Sequence, residues 1–175
     1  GGPMHGIQAW VALPKEHEET EPWFGHYGAD ALPIHDDDGL RMRLLAGAAF
    51  GLDAGVRTHS PLFYAHWQLA PGARTALPAE YPERALYVAQ GDVEHRGARY
   101  TAGQMLVFDR GEDSSITATQ AATVMALGGE PVGERFIEWN FVSSSRQRIE
   151  QAKADWRAGR MKLPDFDNQE FIPLA

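Results

Sequence analysis

The sequence predicts an all-β domain, a barrel or sandwich of short strands, followed by one amphipathic helix. Three observations predict it. Between residues 40 and 142, short apolar-alternating runs are separated by turn signals such as Asp-Gly, Pro-Gly, Arg-Gly and Gly-Gly. The stretch "RALYVAQGDVEHRG" reads as strand, tight turn, strand and tight turn. Beyond residue 143 the period changes, with Ile149, Ala152 and Trp156 at helical offsets.

The elements follow in order. "HGIQAWVALP" is strand-like, with Ile7, Ala9, Val11 and Leu13 on one face and Gln8, Trp10 and Ala12 on the other, and Pro14 ends it. From Lys15 to Gly39, prolines, glycines and acids give no sustained period, which predicts a long connection between modules. Strands are then expected near 41–48, 61–69, 84–90, 92–95, 98–100, 104–109, 114–118, 122–127 and 135–142. In "SSSRQRIEQAKADWRAG" a capping box from Ser144 to Gln147 opens a helix that Gly159 closes, and its apolar stripe predicts packing on the barrel. "MKLPDFDNQEFIPLA" is read as an extended tail. The expected division is therefore 1–14, 15–39, 40–142 and 143–175.

Composition narrows the chemistry. With 175 residues, 43% of them hydrophobic and 23% charged, the chain suits one domain with a sizeable core. It has no cysteine, so any metal would rest on His, Asp and Glu. The net charge of −8 is concentrated in residues 15–38, which carry eight acids and one base and read as a solvated loop. No basic stripe is left to collect phosphates, so direct nucleic-acid binding is not expected. No apolar run is long enough for a membrane helix and no signal peptide is evident, so the expectation is a cytoplasmic protein with no membrane partner.

The glycines carry a more specific signal. Gly72 and Gly91 bracket a segment with the spacing of the first motif of cupins, and Gly103 and Gly111 fit the second. The chain thus resembles the cupin (RmlC-like jelly-roll) barrels, which hold a metal on three histidines and a glutamate. Here those slots fall on Pro78, Glu80, Arg84 and Ser114, and Asp109 takes the motif's proline position. Proline has no ligating side-chain atom, and arginine would set a permanent positive charge beside the cation. The resemblance therefore implies a barrel whose ligand set has been lost.

Three segments narrow the resemblance. "MHGIQAWVALP", "GGEPVGERFIEWNFVSSSRQRIEQAKADWRAG" and the acidic connection are similar to the pirin family of bicupins. The resemblance implies the C-terminal cupin half, preceded by the last strand of an N-terminal half. Metal in the family, usually iron, would belong to that missing half. On this reading the chain is a fragment or truncation with a structural, packing role, and no catalytic or cofactor-binding residue is expected in it. Its partner would be the N-terminal cupin or a second copy of the chain, and strand 5–13 is expected to pair with this barrel or with a second copy. The intact parent would resemble an iron-dependent quercetin 2,3-dioxygenase; a third reading is an interaction cofactor of transcription regulators.

Other candidates are weaker. Tyr64, His66 and Gln68 share one strand face and are candidates to line a barrel cavity. His95 lies between Glu94 and Arg96 and is read as part of an exposed turn; "HDDDG" at 35–39 is also read as a turn, and His17, His26 and His35 as solvent-exposed. "SSS" at 143–145 suits a helix start better than an activated nucleophile. Phe63, Tyr64, Trp67, Tyr87 and Phe108 suit barrel packing better than nucleic-acid stacking.

Overall fold

A computed structural model describes residues 2, 4–165 and 168–174. Gly1, Pro3 and, in the C-terminal tail, Phe166, Asp167 and Ala175 lie outside the described residues. The chain divides into two compact units, one of Glu21–Pro131 and the other of Gly1–Thr20 with Val132–Ala175.

The first unit is the β-domain. Its larger sheet runs in the order β1 (Ile34–Asp37), β2 (Leu40–Ala49), β4 (Leu62–Leu69), β11 (Ala122–Gly129), β6 (Glu83–Gln90) and β9 (Met105–Phe108), with β3 (Leu52–Asp53) paired to β2. The smaller sheet runs β5 (Arg74–Thr75), β10 (Ile116–Ala118), β7 (Asp92–His95) and β8 (Ala98–Thr101). Every pairing is antiparallel, between hairpin neighbours such as β7 and β8 and between strands distant in sequence such as β4 and β11. The two-residue period decides what is inside. Phe63, Ala65, Trp67 and Leu69 of β4 are buried, as are Leu86 and Val88 of β6 and Val124 and Ala126 of β11. With Met42, Leu44, Val93, Leu106, Phe108 and Ile116 they form one core. Each large side chain among them contributes about 1.5–3 kcal/mol by leaving water.

The longer strands of the barrel sit close to their expected places, the two-residue β3 and β5 were not expected, and three further segments differ. "HDDDG" does contain a turn, but its first residues form β1: Asp38 and Gly39 both take positive φ, the geometry of a tight hairpin, and Asp36 pairs with Arg41. His35 consequently lies in a strand, half-buried and stacked on Phe50 with ring centroids 6.0 Å apart, rather than in open solvent. Residues 135–142 divide into β12 (Phe136–Glu138) and β13 (Phe141–Ser143), because the chain reverses at Trp139, whose φ is +53°. Residues 5–13 form no strand, and no pairing partner for them occurs among the described residues. Alternation alone did not suffice, since a strand exists only where a second one supplies its hydrogen bonds.

The second unit joins the two ends of the chain. Helix α1 (Arg146–Arg157) packs against β12 and β13 and buries Ile149 and Ala152. The cap is Ser145, whose hydroxyl accepts from the Arg148 N–H at 3.3 Å. Ser144 is not the cap because Glu18 claims it: the Ser144 N–H donates to Glu18 at 2.8 Å and its hydroxyl at 3.2 Å. Glu18 also accepts from Ser143 and pairs with Arg135 at 3.0 Å, while Glu19 pairs with Arg148 at 2.6 Å. Part of the acidic stretch is thus tied down rather than merely solvated.

Candidate functional site

The sequence-aligned ligand slots converge in part. Arg84 stands on the inner face of β6 with Leu86 and Val88, so the pleat turns its side chain into the barrel, where it is only 5% exposed. Its Nη1 donates to Ser114 Oγ at 3.2 Å, and its Nη2 donates to the carbonyls of Asp109 and Glu112 at 3.1 and 2.8 Å. Ser114 in turn accepts from the Leu77 N–H at 3.2 Å and donates to the Leu77 carbonyl at 3.4 Å, next to buried Pro78. Two slots separated by 30 residues are therefore in direct contact. Glu80 is exposed and Pro78 offers no donor atom, so the four slots do not assemble as ligands.

The chemistry of this cluster is that of a cation already in place. The guanidinium is held by neutral oxygens, and its Nε finds no hydrogen-bond partner among the described residues. A divalent ion beside it would meet like charge at close range, so these residues do not fit a transition metal. Nor do the described residues contain any group of three or more His, Asp or Glu side chains placed to hold a metal.

His95, expected in an exposed turn, belongs to the same end of the barrel. It is 8% exposed, its Nδ1–H donates to the Ser115 carbonyl at 2.7 Å, and its ring meets Phe108 edge-on at 5.2 Å. Phe108 is the cross-strand neighbour of Arg84. The signal was available in the alternation of β7, where Val93 and His95 share the inward face while Glu94 points out. The flanking charges misled because only one of them shared the histidine's strand.

Tyr64, His66 and Gln68 do share a face, but it is the opposite one. In β4 the core takes Phe63, Ala65, Trp67 and Leu69, leaving these three on the outer side, so they do not line a barrel cavity. The aromatic and apolar residues won the interior, and the period-two argument was right except for its sign. Burial, reinforced by the charge of neighbouring Arg43, holds His66 below the ordinary imidazole value, and burial raises Tyr64. Tyr81, next to the Glu80 slot, is raised by burial and then by Glu80 and Glu130; its hydroxyl donates to the Ala48 carbonyl at 2.6 Å, closing the barrel between β2 and β6.

All four framework glycines take positive φ, between 72° and 89°. At Gly91 a side chain would also collide with the Ala121 carbonyl, 2.2 Å from the position of a Cβ. The sequence profile of the pirin C-terminal cupin domain matches residues 64–162, which is more than half of the chain. The chain belongs to the pirin family. It is 61% identical over 175 residues to a pirin-like protein of Caulobacter vibrioides, covering 99% of this chain and 61% of that one. Against human pirin the identity is 26% over 163 residues, covering 89% of this chain and 56% of the other. A crystal structure titled quercetin 2,3-dioxygenase from Acinetobacter baumannii superposes with a TM-score of 0.79 at 26% identity, over 95% of this chain and 57% of that one. The fold is thus an all-β cupin barrel with one C-terminal helix, related to the quercetin 2,3-dioxygenases. This pirin-family chain spans a little over half the length of the relatives it matches.

Proposed function

We propose that this chain acts as the metal-free C-terminal cupin of a two-barrel pirin, with a structural role, and that metal chemistry in the intact protein belongs to a second, N-terminal barrel. One observation carries the reading: a buried guanidinium occupies a ligand slot and is hydrogen-bonded to the serine in another. Arg84 ties β6 to the β9–β10 connection, the same parts of the barrel that a metal would tie. The loss of the site is thereby compatible with a closed, packed interior. The experiment is elemental analysis of the purified chain after exposure to iron, manganese, copper and nickel. Substoichiometric metal that a mild chelator removes is expected. One equivalent of a first-row metal held by barrel side chains would overturn the reading.

The similarity to a structure titled quercetin 2,3-dioxygenase supports a complementary reading of the longer protein. In it, iron or another divalent transition metal would reside in the N-terminal barrel, and the protein would oxidise a flavonol with dioxygen. Quercetin turnover by the longer protein, abolished by chelation and indifferent to Arg84 substitution, is the expected result. A metal-loaded longer protein that leaves quercetin untouched would remove this reading.

A further inference from the structure

The outer face of the larger sheet carries side chains that the barrel interior does not use. The core takes Met42 and Leu44 of β2 and Phe63, Ala65 and Trp67 of β4, so alternation turns Arg43, Tyr64, His66 and Gln68 the other way. The register sets them side by side. Arg43 pairs with His66, His66 with Met125 of β11, and Met125 with Tyr87 of β6, a row that crosses four strands. Neighbouring strands lie about 4.8 Å apart, so the row runs about 14 Å, with Tyr64 and Gln68 about 7 Å to either side of His66. Met125 is only 5% exposed although it stands outside the core, which makes it the floor of this patch.

Arg43 is the odd member. Arg41, on the same face, has a carboxylate opposite it and pairs with Asp36 at 3.5 Å. Arg43 has Ile34 in that place. Its Nε is buried without a hydrogen-bond partner, and no ion pair to Arg43 occurs among the described residues. Burial and the neighbouring guanidinium keep His66 uncharged at neutral pH, and burial keeps Tyr64 a phenol. The patch thus presents one fixed cation beside neutral hydrogen-bonding groups.

We infer that this face is a binding site for a planar aromatic monocarboxylate, with Arg43 gripping the carboxylate and the ring lying over Met125 toward Tyr87. A guanidinium with an unused edge matches the two oxygens of a carboxylate. A single unanswered cation suits one negative charge rather than a phosphate dianion, since Arg41 is already committed to Asp36. Met125 and Tyr87 offer a thioether and an aromatic face to a ring, and they lie away from the acids of the β1–β2 turn. A second copy of the chain is a poorer occupant, because a two-fold contact would bring a second unpaired Arg43 to the same face. The site lies wholly within the β-domain and goes beyond the two-barrel reading without resting on it.

Methyl NMR on the 175-residue chain tests the inference, with benzoate as the probe. The Met125 methyl should shift with half-saturation near about 1 mM, while the methyl of Met42, fully buried in the core, stays in place. Acetate carries the charge without the ring, and benzylamine the ring with the opposite charge. Each should need about tenfold more ligand or fail to titrate. Arg43→Gln should weaken benzoate about tenfold or more through the lost charge-assisted contact, with the Met42 methyl reporting an intact barrel. A Met125 methyl unmoved at about 20 mM benzoate would overturn the inference. Equal titration by acetate or benzylamine, or undiminished binding by Arg43→Gln, would do the same. In the longer protein the response should persist; its loss there, with binding intact in this chain, would show that a second domain covers the face and would also refute the site. None of these failures touches the metal-free reading, which stands on Arg84.

Discussion

Substituting Arg84 tests whether the guanidinium holds the barrel or merely burdens it. Arg84→Met keeps much of the aliphatic stem and removes three hydrogen bonds, to Ser114 Oγ at 3.2 Å, the Asp109 carbonyl at 3.1 Å and the Glu112 carbonyl at 2.8 Å. Bonds made by a charged donor are worth about 1.5–3 kcal/mol each. Against them stands the cost of burying a cation without a carboxylate, which is of the order of several kcal/mol. Ser114 keeps its bonds to Leu77, and the Asp109 and Glu112 carbonyls are near enough to the surface to regain water. The balance is a loss of about 1–2 kcal/mol for Arg84→Met. Arg84→Ala also empties the space that the stem fills, adding about 2–3 kcal/mol, for a total near 3–5 kcal/mol. Urea denaturation followed by the protection of β6 and β11 amides reads the barrel separately from the second unit. The expected order of stability is Arg, then Met, then Ala. A methionine variant more stable than the parent would show that the arginine is a net burden, and an alanine variant equal to the parent would show that the side chain does not hold the interior.

Further predictions concern the second unit and the turns. Burial pushes the Glu18 carboxyl up, but the Ser144 N–H, the Ser143 and Ser144 hydroxyls and the Arg135 charge outweigh it, and Arg148 lowers Glu19. Folded values below the ordinary 4.5 mean that this stabilisation is present above that pH and is lost as pH falls through the folded values, so α1 and β13 amides should lose protection in mild acid while the barrel keeps its own. E18Q should reproduce much of that loss at neutral pH, at a cost of about 1–3 kcal/mol in the exchange free energy of those amides, because Arg135 loses its carboxylate. Gly91→Ala should destabilise the barrel far more than Gly103→Ala in thermal melts: both positions have positive φ, at 72° and 89°, but only Gly91 faces a carbonyl while Gly103 faces open space. Ser145→Ala should cost about 1 kcal/mol of helix stability as a lost cap, measured by exchange at the Arg148 amide and its neighbours.

The barrel was legible in the sequence because its determinants are local and redundant. Alternation fixed β4 and β6, glycines at Gly72, Gly91, Gly103 and Gly111 marked the turns, and the cupin resemblance laid on those glycines implied that Arg84 and Ser114 share one site, where they are in contact. What escaped depended on which face of a strand wins the interior. His66 and His95 are both strand histidines; Trp67 forced the first outward, and the core at Phe108 and Ile116 drew the second inward. The tying of Glu18 and Glu19 to segments more than 120 residues away was invisible for a different reason, since an acidic run carries no mark of the arginines that will meet it. Residues 5–13 carry a strand's pattern without a strand's partner, and pattern alone does not supply hydrogen bonds.

Arg84 also bears on how such a barrel could change over generations. A histidine introduced at a neighbouring slot would gain nothing while the guanidinium remains, since any arriving ion is repelled before it can be gripped. Discarding the arginine first weakens the fold with no compensating chemistry. A cation site could therefore be built here only by way of a weakened barrel, and the buried charge works as a latch on the interior.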